Sequence, residues 1–250
     1  MALWAAAVWS GPATAEDIVA VYSAYWAGLP AAEIRLKLED RSDGYHSEIE
    51  ISTQGLPQLL TRFRATASAE GGLAVGRSAE PSQYVAVYDL RKRRNSRVSM
   101  YFAHRVGGAV AERAPDDTSR KPPLAEAFRK NAVDPLTALE RIREALRSRK
   151  PGLFTIPVYD GARRFDIVGR ILADKTSDDV LRAELMLRPE AGFKGETSED
   201  GDPDDAPRKV ELTATNDARA VPLSITVPVF FMPLVIEFQR LCAAADPCSG

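Results

Sequence analysis

The stretch from residue 17 to residue 39 constrains the fold most, because its hydrophobic side chains recur with a period of two. Residues 32–39 alternate apolar and charged side chains, which is typical of an antiparallel strand with one buried face. Residues 18–25 are instead apolar on both faces. The sequence Gly28-Leu29-Pro30 separates the two halves, so the stretch predicts two strands joined by a turn. A strand that is apolar on both faces must be covered twice, by the core and by another part of the protein.

The same pattern continues through most of the chain. Asp160-Gly161 and Asn216-Asp217 are strong hairpin turn signals. We expect Gly71-Gly72 to form a turn and residues 106–123 to form a loop. Further strands are predicted at residues 45–53, 62–69, 84–90, 98–102, 153–159, 163–175, 180–188, 208–215, 221–227 and 229–241. Because strands do not alternate with helices, a doubly wound α/β fold is excluded, leaving a sandwich, a closed barrel or a curled sheet.

One helix is predicted over residues 134–149. Asp134 suits the N-cap and Pro135 the first helical position. Four aliphatic residues recur along one stripe of this helix: Leu136, Leu139, Ile142 and Leu146. We expect this stripe to pack on the sheet, with the basic residues Arg141, Arg143, Arg147, Arg149 and Lys150 on the outer face and at the C-terminal end. A helix lying on a membrane surface is the alternative.

The predicted fold is therefore mainly β. We expect a large curled antiparallel sheet or half-open barrel with one packed α-helix at about residues 134–149. Residues 16–250 form a single domain in this interpretation. Residues 189–207 are rich in acids and are predicted to be a mobile loop, since the run from Asp200 to Asp205 lacks the glutamate that would complete an EF-hand.

The first 15 residues are predicted to be a signal peptide. An apolar run over residues 2–9 is followed by Gly11-Pro12 and then by Ala13-Thr14-Ala15, a small-x-small cleavage site. The basic region that normally precedes the apolar run is missing, and we expect the true start to lie upstream. No cysteine follows the run that would accept a lipid. A buried N-terminal segment is the alternative.

The two cysteines also favour export. Cys242 and Cys248 lie close together near the C-terminus, and in an oxidising periplasm they would form a disulfide that ties down the tail. Metal binding and redox exchange are the alternatives. No histidine lies nearby to complete a zinc site, and the spacing is not C-x-x-C.

Composition argues against a nucleic-acid partner and a membrane-spanning segment. The net charge is −2, from 33 basic and 35 acidic residues, so no long-range field attracts nucleic acid. The basic tip at residues 91–95 is interpreted as a solvated hairpin end. No apolar run of about 18 residues occurs, so no spanning helix is expected.

No catalytic motif is present. The two histidines, His46 and His104, lack a G-x-S-x-G nucleophile motif, and glycine-rich phosphate loops are absent. Carboxylate pairs occur at residues 48 and 50 and at residues 178 and 179, but nothing distinguishes either pair from solvated positions. We therefore expect a protein that is not an enzyme and that has no metal and no cofactor.

Four short motifs carry a family resemblance: G-L-P-A-A-E at residues 28–33, D-P-L-T-A-L at 134–139, V-Y-D-G-x-R-x-F at 158–165 and R-x-V-P at 219–222. In this order they resemble the bacterial envelope family catalogued as domain of unknown function 3108, over most of the chain after residue 15. The resemblance implies an exported, periplasmic protein of Gram-negative bacteria, mostly antiparallel β, and similar in fold alone to the curled sheets of periplasmic lipoprotein carriers. That family has no agreed activity. The acidic stretch and the cysteine pair depart from its pattern.

The leading functional hypothesis is binding of a lipid or another apolar envelope ligand in the concave face of the sheet. Its predicted lining residues are Tyr22, Trp26, Phe230, Phe231 and Met232. The alternative is a purely structural role, in which these side chains fill the core. The rival function is a protein–protein scaffold in envelope assembly or integrity, without a small ligand. An open cavity lined by the aromatic residues would favour the carrier, and a core sealed by its own helix would favour the scaffold.

Overall fold

The predicted antiparallel β fold is confirmed. The computed structural model describes residues 17–55, 58, 62–73, 78–90, 93–119, 122–150, 152–172, 180–193, 206–229, 232–242 and 248. Within these residues, thirteen strands form one antiparallel sheet that curls into a nearly closed barrel, accompanied by two helices. The signal peptide predicted at residues 1–15 lies outside the described residues and stays a prediction.

Each strand pairs with the next strand in sequence, except that the seventh and the eighth strands do not pair with each other. The strands are β1 (Ile18–Trp26), β2 (Leu29–Asp40), β3 (Gly44–Thr53), β4 (Arg64–Leu73), β5 (Ala79–Leu90), β6 (Arg93–Arg105), β7 (Gly108–Arg113), β8 (Leu153–Tyr159), β9 (Arg164–Leu172), β10 (Val180–Ala191), β11 (Arg208–Thr215), β12 (Pro222–Val229) and β13 (Met232–Cys242). The first strand β1 pairs with the last strand β13, so the two edges of the sheet, β7 and β8, lie in the middle of the chain.

A short extended segment, residues 130–133, closes the seam between these two edges. Asn131 N–H donates to the Ala109 carbonyl of β7 at 2.7 Å. Val133 makes two backbone hydrogen bonds to β8. Its N–H donates to the Pro157 carbonyl, and its carbonyl accepts from Tyr159 N–H, each at 2.8 Å. The sheet edges therefore have backbone partners without pairing directly with each other, which protects them from pairing with other chains.

The predicted helix is also present. It is preceded by a one-turn helix, α1 (Glu126–Arg129), and forms α2 (Pro135–Ser148). Asp134 caps α2 by accepting hydrogen bonds from the N–H groups of Leu136 and Thr137, both at 2.9 Å. Burial raises the pKa of Asp134 to about 6, and the hydrogen bonds from Thr137 partly oppose this rise. The helix cap is therefore made by a desolvated carboxyl group whose hydrogen bonds to the backbone replace those to water.

The helix lies inside the barrel, where it contacts all three hydrophobic clusters. Ile142 and Leu146 pack with the wall formed by β8 to β12, while Leu136 packs with the wall formed by β3 to β7. Leu139 packs against the third cluster, which centres on β1 and β2. This arrangement explains the apolar stripe read from the sequence, since the stripe faces the concave side of the sheet.

Two expectations about the middle of the chain were wrong. Gly71 and Gly72 belong to β4 rather than to a turn, since both pair with β3 and β5. Glycine is needed at position 71 because the backbone of β5 and the Tyr45 ring leave no room for a side chain. Residues 108–113, expected to be a loop, form the edge strand β7, which pairs with β6 on one side and meets residues 130 and 131 on the other.

The stretch predicted as an acidic loop begins later than expected. Strand β10 continues through Ala191 because Pro189 and Ala191 still pair with Phe165 and Arg164 of β9. Residues 194–205, the most acidic part, lie outside the described residues. In the described part of the chain, no helix combines the length and hydrophobicity needed to cross a membrane.

Candidate functional site

The helix α2 crosses the barrel near one of its two ends, defined here as the helix end. Its Thr137 hydroxyl lies 2.5 Å from the Tyr45 hydroxyl, and its Glu140 accepts from the Ser47 hydroxyl at 2.6 Å. Tyr45 and Ser47 stand at the start of β3, beside the turn that joins β2 to β3. The opposite end of the barrel, beside the turn at residues 27 and 28, is defined here as the open end. The C-terminal half of α2 therefore lies at the helix end, next to Asp40 and Arg41.

Apolar side chains on the inner face of the sheet stay partly exposed at the open end. We call this group the apolar cup. Its members are Trp26, Ala32, Ile51, Tyr88, Val227, Met232, Leu234 and Ile236. Strand pairing brings the members side by side, with Trp26 opposite Leu234 and Leu234 opposite Val227. A concave surface of this kind, with hydrophobic side chains that are neither sealed nor fully solvated, is suited to an apolar ligand.

The five residues predicted to line the ligand site do not share one environment. Trp26 is 38% exposed at the end of β1, and Met232 is half-buried at the start of β13, so both belong to the apolar cup. Tyr22 is buried in the core, where its ring meets Phe238 edge-on at 5.9 Å between centroids. Phe230 and Phe231 lie outside the described residues. Tyr22 therefore has the structural role of a core residue, while Trp26 and Met232 remain candidates for ligand contact.

The Tyr22 hydroxyl is an unusual feature of this core. It is buried and has no hydrogen-bond partner among the described residues. Burial raises its pKa, and the positive charge of Arg143 nearby opposes the rise. The phenol therefore stays neutral at physiological pH.

The two cysteines lie close to the outer side of β1 and β2. Cys242 and Cys248 form a disulfide, with 5.6 Å between their Cα atoms. Cys242 lies opposite Val19, and the carbonyl of Cys248 accepts a hydrogen bond from Arg35, which lies opposite Val21. The disulfide therefore holds Cys248 beside these two strands.

An ion network buried under α2 was missed by the sequence analysis. Arg143, expected on the outer face of the helix, is 0% exposed. It donates to Glu140 at 2.5 Å, to both carboxylate oxygens of Asp40 at 3.2 Å and to the Arg219 carbonyl at 2.7 Å. Its spacing of seven residues from Leu136 places it beside the apolar stripe, and this was the signal available in the sequence. Every buried charge in the network has a partner, which is the condition under which such groups are tolerated.

A cavity of about 850 Å³ opens at the helix end of the barrel. Its wall combines the C-terminal half of α2 with residues 40–45, with the facing ends of β4 and β5, and with residues 154–156 of β8. Among the groups on this wall, Glu144 has its pKa raised to about 7 by burial, an effect that an Ala79 N–H hydrogen bond and the charge of Arg141 partly oppose. Of the predicted ligand-binding residues that the structure describes, Tyr22, Trp26 and Met232, none lines this cavity.

The two histidines considered for catalysis lie on separate strands, and residues 178 and 179 lie outside the described residues. His46 contacts Glu48 at 2.8 Å on a strand surface, and His104 lies exposed near the end of β6. In the described ranges, no group of three or more histidine, cysteine, aspartate and glutamate side chains is arranged to hold a metal ion.

Comparisons with known proteins identify a family and a fold. A family model described as a protein of unknown function, DUF3108, matches residues 21–230. A solved structure described as a beta-barrel-like protein of domain of unknown function DUF1849 from Brucella abortus is similar with a TM-score of 0.58 and 10% identity, covering 90% of this chain and 96% of that chain. At that identity the likeness extends to the fold alone. No curated protein matches the chain.

Proposed function

Since the chain belongs to the DUF3108 family of proteins of unknown function, we propose, on that premise, that it is an exported, non-catalytic protein of the Gram-negative cell envelope that binds a lipid or another apolar ligand in the apolar cup. The observation that carries the proposal is the partly exposed hydrophobic inner face at the open end. Water in contact with such a face is displaced when an apolar ligand binds, at a gain of roughly 25 cal/mol for each Å² of apolar surface covered.

Strand pairing supports a site that exists before the ligand arrives. The side chains of the cup stand on paired strands, with Leu234 between Trp26 and Val227, and α2 reaches the same cluster through Leu139. Leu29, which is 54% exposed, extends the apolar surface beyond Trp26 at the rim. A ligand therefore meets a wall of paired strands with an apolar rim.

The periplasmic location rests on the disulfide. Bonds of this kind persist in oxidising compartments and are rare in the bacterial cytosol. The bond between Cys242 and Cys248 would therefore form after export, and it fixes Cys248 to the end of β13.

Lipid analysis of the purified protein tests the proposal. Residues 16–250 are directed to the periplasm of a Gram-negative host, purified without detergent, and studied by native mass spectrometry, solvent extraction and lipid analysis. We expect a co-purifying lipid or apolar molecule that is lost in Trp26→Glu and in Leu234→Glu. Phe128→Glu is the matched control, because Phe128 is 41% exposed, close to the 38% of Trp26, but lies on α1 away from the cup. The circular dichroism spectrum of each variant shows whether it is folded.

A protein that is empty and stays empty after incubation with envelope lipids would overturn the carrier proposal. The alternative, a scaffold for envelope assembly, is favoured by the exposed hairpin tip at Trp26 and Leu29, which offers a protein partner an apolar contact. In that case crosslinking through a cysteine placed at residue 29 would capture a specific envelope protein, while lipid would remain absent.

A further inference from the structure

The cavity at the helix end lies across the barrel from the apolar cup and plays no part in the proposed function. It measures about 850 Å³, large enough for a small organic ligand. Its wall is mixed, with charged side chains from α2 on one side and apolar side chains, including Leu73, Phe154 and Ile156, on the other. A ligand that fits this wall has a charged part and an apolar part.

Most charges on the wall are already neutralised within the protein. Asp40 accepts from Arg143 at 3.2 Å and from Arg147 at 2.8 Å. Glu140 pairs with Arg143 at 2.5 Å. These groups form the buried network described above, and they offer a ligand little unsatisfied charge.

Arg141 differs from these arginines. It is half-buried, and its Nε donates to the Ala79 carbonyl at 2.8 Å. Among the described residues, this neutral carbonyl is the only hydrogen-bond partner of Arg141, and no carboxylate lies within 4 Å of its guanidinium. The Nε hydrogen bond fixes the plane of the guanidinium and leaves both Nη atoms for another acceptor. A partly desolvated guanidinium that makes no salt bridge gains more from binding an anion than one that is already paired.

We propose that this cavity binds the anionic head group, a carboxylate or a phosphate, of a small amphiphile, with Arg141 as the anchor. The two Nη atoms match the paired oxygens of such a group, and the resulting charge-assisted hydrogen bonds are the strong kind. The apolar body of the ligand packs on Phe154 and Ile156. The site is separate from the apolar cup, so either site can exist without the other.

Glu144 gives the site a dependence on pH. Its carboxyl lies beside Arg141 on the cavity wall, and burial raises its pKa to about 7. When protonated, Glu144 carries no charge to repel the head group and can donate a hydrogen bond to it. The charged and titratable groups that face Glu144 and Arg141 are Glu140 and Arg147 on α2, Asp40 and Arg41 at the end of β2, Tyr45 on β3, Glu80 on β5 and Asp134 at the helix cap. Binding is therefore tighter below pH 7 than above it.

Isothermal titration calorimetry of the purified protein with four probes tests the proposal. Octanoate and octyl phosphate carry the two head groups on an apolar chain, and acetate and inorganic phosphate carry them without one. We expect the octyl probes to bind more tightly than the short anions, and the better octyl probe identifies the head group. Arg141→Gln should weaken binding by about tenfold or more, the effect of losing hydrogen bonds to a charged group. Arg170→Gln is the matched control, because Arg170 is exposed on β9 and pairs with Glu184 outside the cavity.

Several outcomes would overturn the inference. Octanoate binding that survives Arg141→Gln but is lost in Trp26→Glu would place the ligand in the apolar cup, which sinks this inference and leaves the proposed function standing. Short anions that bind as tightly as octyl probes would exclude an amphiphile. If Arg141→Gln does not fold, Glu144→Gln decides. This variant should bind octanoate, which stays ionised in this range, equally well at pH 6 and pH 8, and a dependence on pH that persists unchanged would contradict the site.

Discussion

Arg143 and Glu140 form a salt bridge one helical turn apart, with 2.5 Å between Nη1 and Oε2, and both side chains are buried inside the barrel. The pair is fixed at both ends. Ser47 of β3 donates to the other carboxylate oxygen at 2.6 Å, and the Arg219 carbonyl accepts from the guanidinium at 2.7 Å. The network therefore joins the helix to two separate parts of the sheet and sets the position of α2 in the barrel.

Removing one member of this salt bridge should destabilise the fold strongly. Glu140→Leu leaves a buried guanidinium without one of its two carboxylates, and we expect the free energy of unfolding to fall by about 3 kcal/mol. Urea unfolding followed by circular dichroism measures the change. The double variant Glu140→Leu/Arg143→Met should lose less than the sum of the two single variants, since no charge is left unpaired. Strict additivity would show that the two residues act independently.

Glu144 should make the protein less stable as pH rises. Its folded pKa of about 7 lies above the ordinary glutamate value of 4.5, so between those values the folded state binds more protons than the unfolded state. The free energy of unfolding therefore falls as pH rises through this window. Glu144→Gln should remove this loss and stabilise the protein at pH 8 by about 1–2 kcal/mol, an allowance that includes screening of a half-buried group.

Urea unfolding of the wild-type protein and of Glu144→Gln, each at pH 5 and pH 8, checks this prediction. The comparison variant is Glu112→Gln, because Glu112 is a partly buried carboxylate of β7 that pairs with Arg105 outside the cavity. An unaltered profile in Glu144→Gln would show that another group is responsible.

Gly161 should not tolerate a side chain. Its φ of +93° is unfavourable for other residues, and a Cβ atom there would lie 2.4 Å from Cγ1 of Val98 across the seam. Gly161→Ala should lower the free energy of unfolding by about 1–3 kcal/mol, as expected for a residue forced into a sparsely populated conformation. Thermal unfolding measures the loss. Gly152→Ala is the comparison, since Gly152 also has a positive φ but has no atom near its Cβ position. Equal losses in the two variants would mean that strain alone, without the contact with Val98, determines the result.

The disulfide should contribute modestly to stability. It closes a short loop between Cys242 and Cys248, for which the loop-entropy model gives about 2 kcal/mol. Cys242→Ser/Cys248→Ser and the wild-type protein in reducing buffer should show the same decrease in urea unfolding. A much larger decrease would mean that the tail carries part of the core.

The alternation of side chains gave most of the secondary structure, because in a strand the inside and outside positions follow from local geometry. The hairpin at Asp160-Gly161 and the helix capped at Asp134 followed from turn and capping chemistry that acts within a few residues. The edge strand at residues 108–113 was missed because its glycines and short length give a weak local signal, and it is held by pairing with distant β6.

The apolar cup was only partly predictable. Trp26 and Met232 were identified from strands that are apolar on both faces, but the same pattern also selected Tyr22, which the core buries. A pattern of period two tells inside from outside. It does not tell which inner positions α2 will cover, because that depends on where the helix crosses the barrel.

The sequence by itself determined that this protein is an antiparallel β protein with one amphipathic helix, since those features depend on contacts and propensities over a few residues. The tertiary structure alone decided that residues 130–133 close the seam, that Arg143 is buried against Asp40, and that the Cys248 carbonyl accepts from Arg35. Each of these features joins residues far apart in the chain. Their partners are selected by the curvature of the whole sheet, and no local pattern encodes that curvature.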